Sequence, residues 1–317
     1  MTMTHQAQPA VAFTDGDHAL AELVGASKQF GSGATAVQAV RRLDLAVRPG
    51  ELLALLGPNG AGKTTAIGML TGLTKPTAGR ARLFGRDPRD VAARRRLGVM
   101  LQASGVPATL RVGELLSQFR GYYPTPLPLD QVITAAGLDG LTRRLFGELS
   151  GGQQRRVMFA ITLAGNPDLV VFDEPTTGLD VAARRGMWAT LRDLARSGRG
   201  VVLTTHYLEE ADALADRIVV IDAGEAIAEG TPGEVKARVP GRRVRAQTSL
   251  SAAVAGRWPG VLRASREGPW LELLASVAEP ALRTLLALDP AATDITVTEP
   301  TLEEAFLALT RNSEATP

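Results

Sequence analysis

The chain has 317 residues, 45% of them hydrophobic and 21% charged, enough apolar surface for one large folded domain and a small one. Its formal net charge is only +2, so no global basic field points to nucleic acid, and its positive charge is almost all arginine, with lysine only at Lys28, Lys63, Lys75 and Lys236. Cysteine is absent, which excludes disulfides, thiolate metal sites and cysteine nucleophiles, and no apolar run nears the roughly 20 residues that cross a bilayer.

Residues 1–19 are small, polar and aperiodic, and read as a disordered leader without the basic start and apolar stretch of a secretion signal. From Leu20 to Leu56 short apolar runs are broken by Gly31, Gly33 and Pro49-Gly50, a pattern of strands joined by turns. The run Glu51 to Gly57 has the continuous apolarity of a parallel strand covered on both faces, and leads through a glycine-rich turn into a helix over 62–73. A section from about 105 to 145 changes rhythm, with helical periods over 112–121 and 130–136 around the proline-rich stretch Pro124 to Pro128; it reads as a helical insertion.

Alternation then resumes: helix 151–164, strand 169–172, helix 181–197, strand 200–205, helix 207–215 and strands 218–221 and 226–228, an α/β core. A boundary is expected at Pro240-Gly241. Beyond it come strand 242–248, helix 250–257, two strands flanking Glu267-Gly268, helix 280–288 and strand 295–298. That β-α-β-β-α-β order is the ferredoxin-like plan, and an amphipathic helix over 301–309 is expected to close it. The domains expected are therefore a 1–19 leader, a 20–240 nucleotide-binding domain with a helical subdomain over about 105–165, and a small α+β domain over 241–317.

Gly57-Pro58-Asn59-Gly60-Ala61-Gly62-Lys63-Thr64, with Thr65 next, is spaced so that glycine lets backbone N–H groups curl around a polyphosphate while the following helix offers its positive end. Lys63 would reach the β- and γ-phosphates of ATP, and the Thr64 hydroxyl would coordinate Mg²⁺. A chance glycine-rich turn is the plain alternative; the strand before and the helix after weigh against it. Asp173 and Glu174 close an apolar strand, so both emerge at the carboxyl edge of a sheet, where α/β proteins bind ligands. Asp173 would hold Mg²⁺ and Glu174 would polarise the attacking water. Alone, such a pair is more often a solvated turn; in company with Lys63 the functional reading is favoured.

Leu149-Ser150-Gly151-Gly152-Gln153 joins these elements, and the three together resemble the ABC ATPases. As bare chemistry this peptide is a good N-cap whose hydroxyl and amides suit an anion. The resemblance implies a P-loop core with N-terminal antiparallel strands, and a head-to-tail homodimer in which Ser150, Gly151, Gly152 and Gln153 face the ATP bound by the partner. It also implies that Gln102 reaches Mg²⁺ and the attacking water, that Asp180 communicates across the dimer, and that His206 touches the γ-phosphate. A zinc role for His206 fails for want of a second histidine nearby. Phe30 stands where the family's adenine-stacking aromatic belongs, although Gly31 to Gln38 is a few residues longer than the family's usual spacing before the next strand; core packing near a strand end is the equal alternative for a lone aromatic there.

The ending Glu299-Pro-Thr-Leu-Glu-Glu-Ala-Phe-Leu-Ala-Leu-Thr310 is similar to that of daunorubicin-resistance-like exporter ATPases. This resemblance implies a separate membrane permease, a peripheral position at the cytoplasmic face of the cell membrane, and export of a drug, antibiotic, lipid or similar substrate. An importer ATPase and a non-transport ABC ATPase are the alternatives; the small insertion, single cassette and missing cysteine disfavour the latter. Thr109 to Tyr123 is the expected docking stretch, in which Leu115, Leu116 and Phe119 are equally plausible as core. The arginine clusters Arg94 to Arg96, Arg155-Arg156 and Arg242-Arg243-Arg245 read as solvated faces. The residues after Pro240 are open to regulation or to dimer bracing.

Overall fold

A computed structural model describes residues 19–101, 105–238 and 241–314. Residues 1–18 of the expected leader lie outside these residues. The chain gathers into two compact units: residues up to Val37, Arg42–Leu52 and Thr64–Val202 form the first, and Gln38–Arg41, Leu53–Lys63 and the residues from Leu203 onward form the second.

The strands of the core are β1 (Ala21–Phe30), β2 (Val37–Val47), β3 (Leu52–Leu56), β4 (Ala78–Leu83), β5 (Leu97–Met100), β6 (Leu169–Asp173), β7 (Gly200–Thr204), β8 (Arg217–Asp222) and β9 (Glu225–Gly230). Strands β3, β6 and β7 are buried at every position, as their unbroken apolar runs require. In the first unit β4-β1-β2 are neighbours, with β1 and β4 antiparallel. There β5 and β6 are parallel, Leu97 opposite Leu169 and Met100 opposite Phe172. In the second unit the order is β2-β9-β8-β3; β3 and β8 are parallel and β8 and β9 antiparallel.

The helices of the first unit are α1 (Lys63–Leu70, whose Lys63 belongs to the second), α2 (Val91–Arg94), α3 (Val112–Arg120), α4 (Leu129–Ala135), α5 (Gly151–Leu163) and α6 (Val181–Arg196). Helix α1 stops short of the expected 73 because Gly72 takes a left-handed φ of +73°. Helices α3 and α4 both pack on α5. Phe159 of α5 stacks on Phe172 of β6 with ring centroids 5.1 Å apart, which seats α5 on the strand that ends in the acidic pair. Leu115 and Leu116 are buried, so they are core; Phe119 is half-buried and meets Tyr122 edge-on.

The second unit adds α7 (Leu208–Leu214), α8 (Pro232–Ala237), β10 (Arg242–Gln247), α9 (Ala252–Ala255), β11 (Val261–Glu267), β12 (Trp270–Ala275), α10 (Ala278–Leu288), β13 (Thr293–Thr298) and α11 (Leu302–Glu314). Strands β10–β13 make a separate sheet in the order β11-β12-β10-β13 with antiparallel neighbours, the ferredoxin-like arrangement expected from βαββαβ. One face is apolar, with Val244, Ala246, Leu271 and Leu273 packed against Ala255 of α9 and Ala281 and Leu285 of α10.

Helix α11 departs from the expectation. It packs on α7, α8 and β8 instead of closing the small sheet, with Leu302 buried among Ala211, Val220 and Val235. Thr301 and Glu304 form a reciprocal cap at its start, and Arg243 of β10 donates to Glu304 at 2.7 Å. The arginine clusters are likewise more than solvated faces: Arg94 donates to the Gly72 carbonyl, Arg96 pairs with Asp168 and lies over Phe84, and Arg245 stacks on Trp270 at 3.9 Å. No helix among the described residues is long and apolar enough to cross a membrane.

Candidate active site

The predicted site residues divide between the two units. In the second, the loop Gly57–Gly62 leaves the end of β3 and is backed by the β8–β9 turn. Ala223 and Gly224 at that turn have φ of +45° and +82°, the left-handed pair of a tight hairpin. Gly224 donates its N–H to the Ala61 carbonyl at 3.0 Å and accepts from Arg41 N–H at 2.9 Å. A Cβ on Gly57 would collide with the Ile221 carbonyl, and one on Gly62 would sit 2.5 Å from the Ala39 carbonyl; Gly62 also has φ of +105°. Gly60, at φ +82°, meets nothing there and is glycine for its backbone conformation alone. The turn at Gly224 is a supporting element that sequence reading missed.

Lys63 folds over this loop and donates to the carbonyls of Gly57 at 2.6 Å and Pro58 at 2.9 Å, so its ammonium is held at the mouth of the loop. His206 follows β7, is exposed, and lies 4.0 Å from the Tyr207 ring at an interplanar angle of 40°. The Tyr207 N–H is tied to Thr205 Oγ1 at 3.0 Å.

In the first unit, Thr64 is exposed and Thr65 half-buried in the opening turn of α1. Asp173 is buried and Glu174 half-buried at the end of β6, and Glu174 has the left-handed φ of +53° that a non-glycine residue adopts only under constraint. Ser150 caps α5: its hydroxyl accepts from Gln153 N–H at 3.3 Å, and Gln153 Oε1 accepts from Ser150 N–H at 3.1 Å. Gly152 lies so close to Gly178 and Leu179 that a Cβ would stand 3.3 Å from the Gly178 carbonyl. Asp180 caps α6, accepting from Ala183 N–H at 2.8 Å. Phe30 is 46% exposed with the Lys28 ammonium 5.0 Å from its ring centre, so its face is no core contact. Gln102 lies outside the described residues.

Arg155, which the sequence presents as surface, is half-buried and donates to the carbonyls of Asp173 at 3.0 Å, Glu174, and Pro175 at 3.2 Å. Burial pulls its pKa below the usual arginine value, against the opposing pull of the Glu174 and Asp173 charges. The first unit thus brings the Ser150 turn, the acidic pair and the Gly178–Asp180 loop onto one helix and its neighbours. No cluster of three or more His, Cys, Asp or Glu side chains able to hold a metal occurs among the described residues.

A family model described as ABC transporter matches residues 40–177. The chain is 37% identical over 302 residues to the daunorubicin resistance ATP-binding protein DrrA3 of Streptomyces coeruleorubidus, covering 90% of this chain and 94% of that one. It is 45% identical over 197 residues to Nod factor export ATP-binding protein I of Burkholderia thailandensis, covering 60% and 65%. Among solved structures, an ATP-binding subunit of an ABC transporter matches with a TM-score of 0.63 at 26% identity, over 69% of this chain and 92% of that chain. A dimeric ATP-binding cassette in a post-hydrolysis state with ADP and phosphate matches with a TM-score of 0.61 at 25% identity, over 67% and 98%.

Proposed function

The chain belongs to the ABC transporter ATP-binding family, and on that premise we propose that it powers an exporter, hydrolysing ATP as a head-to-tail dimer bound to a separate permease at the cytoplasmic face of the membrane. The observation that carries export is the match to DrrA3 over 94% of its length, which at 90% coverage of this chain must include part of the β10–β13 domain. The Nod factor export relative points the same way over 60% of this chain.

In this reading the Gly57–Gly62 amides and Lys63 hold the β- and γ-phosphates, Thr65 lies beside them, and the exposed face of Phe30 stacks on adenine. The donor set suits Mg²⁺, since the Thr64 hydroxyl and Asp173 carboxylate are hard oxygen ligands, with Gln102 as a third; bound there, the ion would neutralise phosphate charge. Glu174 takes a proton as the water oxygen attacks the γ-phosphorus, and the bond to the bridging oxygen breaks, releasing ADP. His206 steadies the γ-phosphate. Ser150 to Gln153 meets the partner's nucleotide and Asp180 faces across the dimer. Two ATPs then hold the dimer closed until hydrolysis releases it and tilts the permease.

Glu174→Gln tests the chemistry. It should keep ATP binding, trap an ATP-bound dimer on gel filtration and slow turnover by about 100-fold or more. Unchanged turnover would remove Glu174 from this role.

A further inference from the structure

We propose that Arg155 is a positioning residue for Glu174: it clamps the backbone of 173–175 in the pose the carboxylate needs, and so joins the Ser150 helix to the chain's own hydrolytic group. The inference rests on the role proposed for Glu174. Its basis is a convergence of acceptors. Three successive carbonyls, those of Asp173, Glu174 and Pro175, receive hydrogen bonds from one guanidinium. The planar fork of arginine suits such a set, and the point charge of lysine does not.

Glu174 needs such a clamp. Its φ of +53° is a left-handed conformation that is unfavourable for a non-glycine residue, so the loop keeps it only where its surroundings hold it. The Thr177 N–H reaches the Glu174 carbonyl at 3.5 Å and the Thr177 hydroxyl reaches Glu174 Oε2 at 3.5 Å, both long contacts.

The clamp is carried on α5 five residues after Ser150, about 7.5 Å along the axis at 1.5 Å per residue. The same helix is held to β6 by the Phe159–Phe172 stack. A shift of its N-terminal turn, where the partner's nucleotide would bear, is thereby passed to Arg155 as a rigid-body movement. Each chain's hydrolytic carboxylate would then be set by whether its own Ser150 turn is engaged, a link between the two sites that neither motif contains alone.

Arg155→Met removes every donor at similar length, and Arg155→Lys keeps the charge without the fork. In the full chain, R155M should lower kcat about tenfold or more with KM for ATP changed by less than about twofold, and R155K should fall between. Hydrogen exchange at the amides of Glu174, Thr176 and Thr177 should rise in R155M. A normal kcat, a KM that rises in step with the loss, or unchanged exchange at those three amides would overturn the inference. Glu174→Gln measured alongside separates the two readings: full turnover there defeats the role of Glu174, whereas loss there with normal R155M defeats only the clamp.

Discussion

Gly57 and Gly62 are fixed by what lies beneath their backbone. Gly62→Ala would force a Cβ to within 2.5 Å of the Ala39 carbonyl at a φ of +105°, combining overpacking with a left-handed strain. Such changes cost about 1–3 kcal/mol each, so nucleotide affinity should fall about tenfold or more while the helices elsewhere persist, as titration with a fluorescent nucleotide and circular dichroism would register. The proposed phosphate loop could be read from the sequence, because a polyphosphate demands residue types at fixed spacing along the chain. Gly224 and Arg155 were not. Arg155 meets acceptors 18 to 20 positions away, and no local pattern encodes where those carbonyls will stand. Phe30 could not be decided from sequence because exposure is a property of the folded sheet; at 46% exposed it keeps the stacking role proposed for it.

At the scale of elements, α11 was legible as an amphipathic helix, but its stripe did not name the surface that covers it. Period fixes which face is apolar, whereas the partner depends on where the chain returns. Leu302 is 2% exposed, so Leu302→Ala should cost about 2–5 kcal/mol and lower the melting temperature, measured by calorimetry. The cap of the same helix is pH-sensitive. Burial would raise the Glu304 pKa, but Arg243 and the Thr301 amide and hydroxyl outweigh it and hold the carboxyl below the usual glutamate range. A depressed folded pKa means the unfolded chain binds more protons in that interval, so the stabilisation is complete above the ordinary glutamate pKa of about 4.3 and is lost as pH falls through the lower folded value. Melting temperature followed downward from pH 6 should therefore drop more steeply in the native chain than in Glu304→Gln.

For the whole molecule, the parallel α/β core, the helical insertion and the ferredoxin-like order all followed from apolar runs and turn residues, and the family expectation agrees with the matches to ABC transporter proteins. Strand order within the sheets did not follow, since neighbours such as β8 and β3 are far apart in sequence and only long-range pairing fixes them. The β10–β13 domain leaves the core after α8 and comes back as α11 onto α8 itself, together with α7, which begins two residues after His206. Helix α11 is in effect a resident peptide ligand, kept at high local concentration by the domain between its ends. Like any ligand it can be withdrawn and replaced. A chain ending at Arg238 should melt at lower temperature, and a synthetic peptide of residues 299–314 added in trans should restore that temperature in proportion to its occupancy, competing for one apolar seat on Ala211 and Val235.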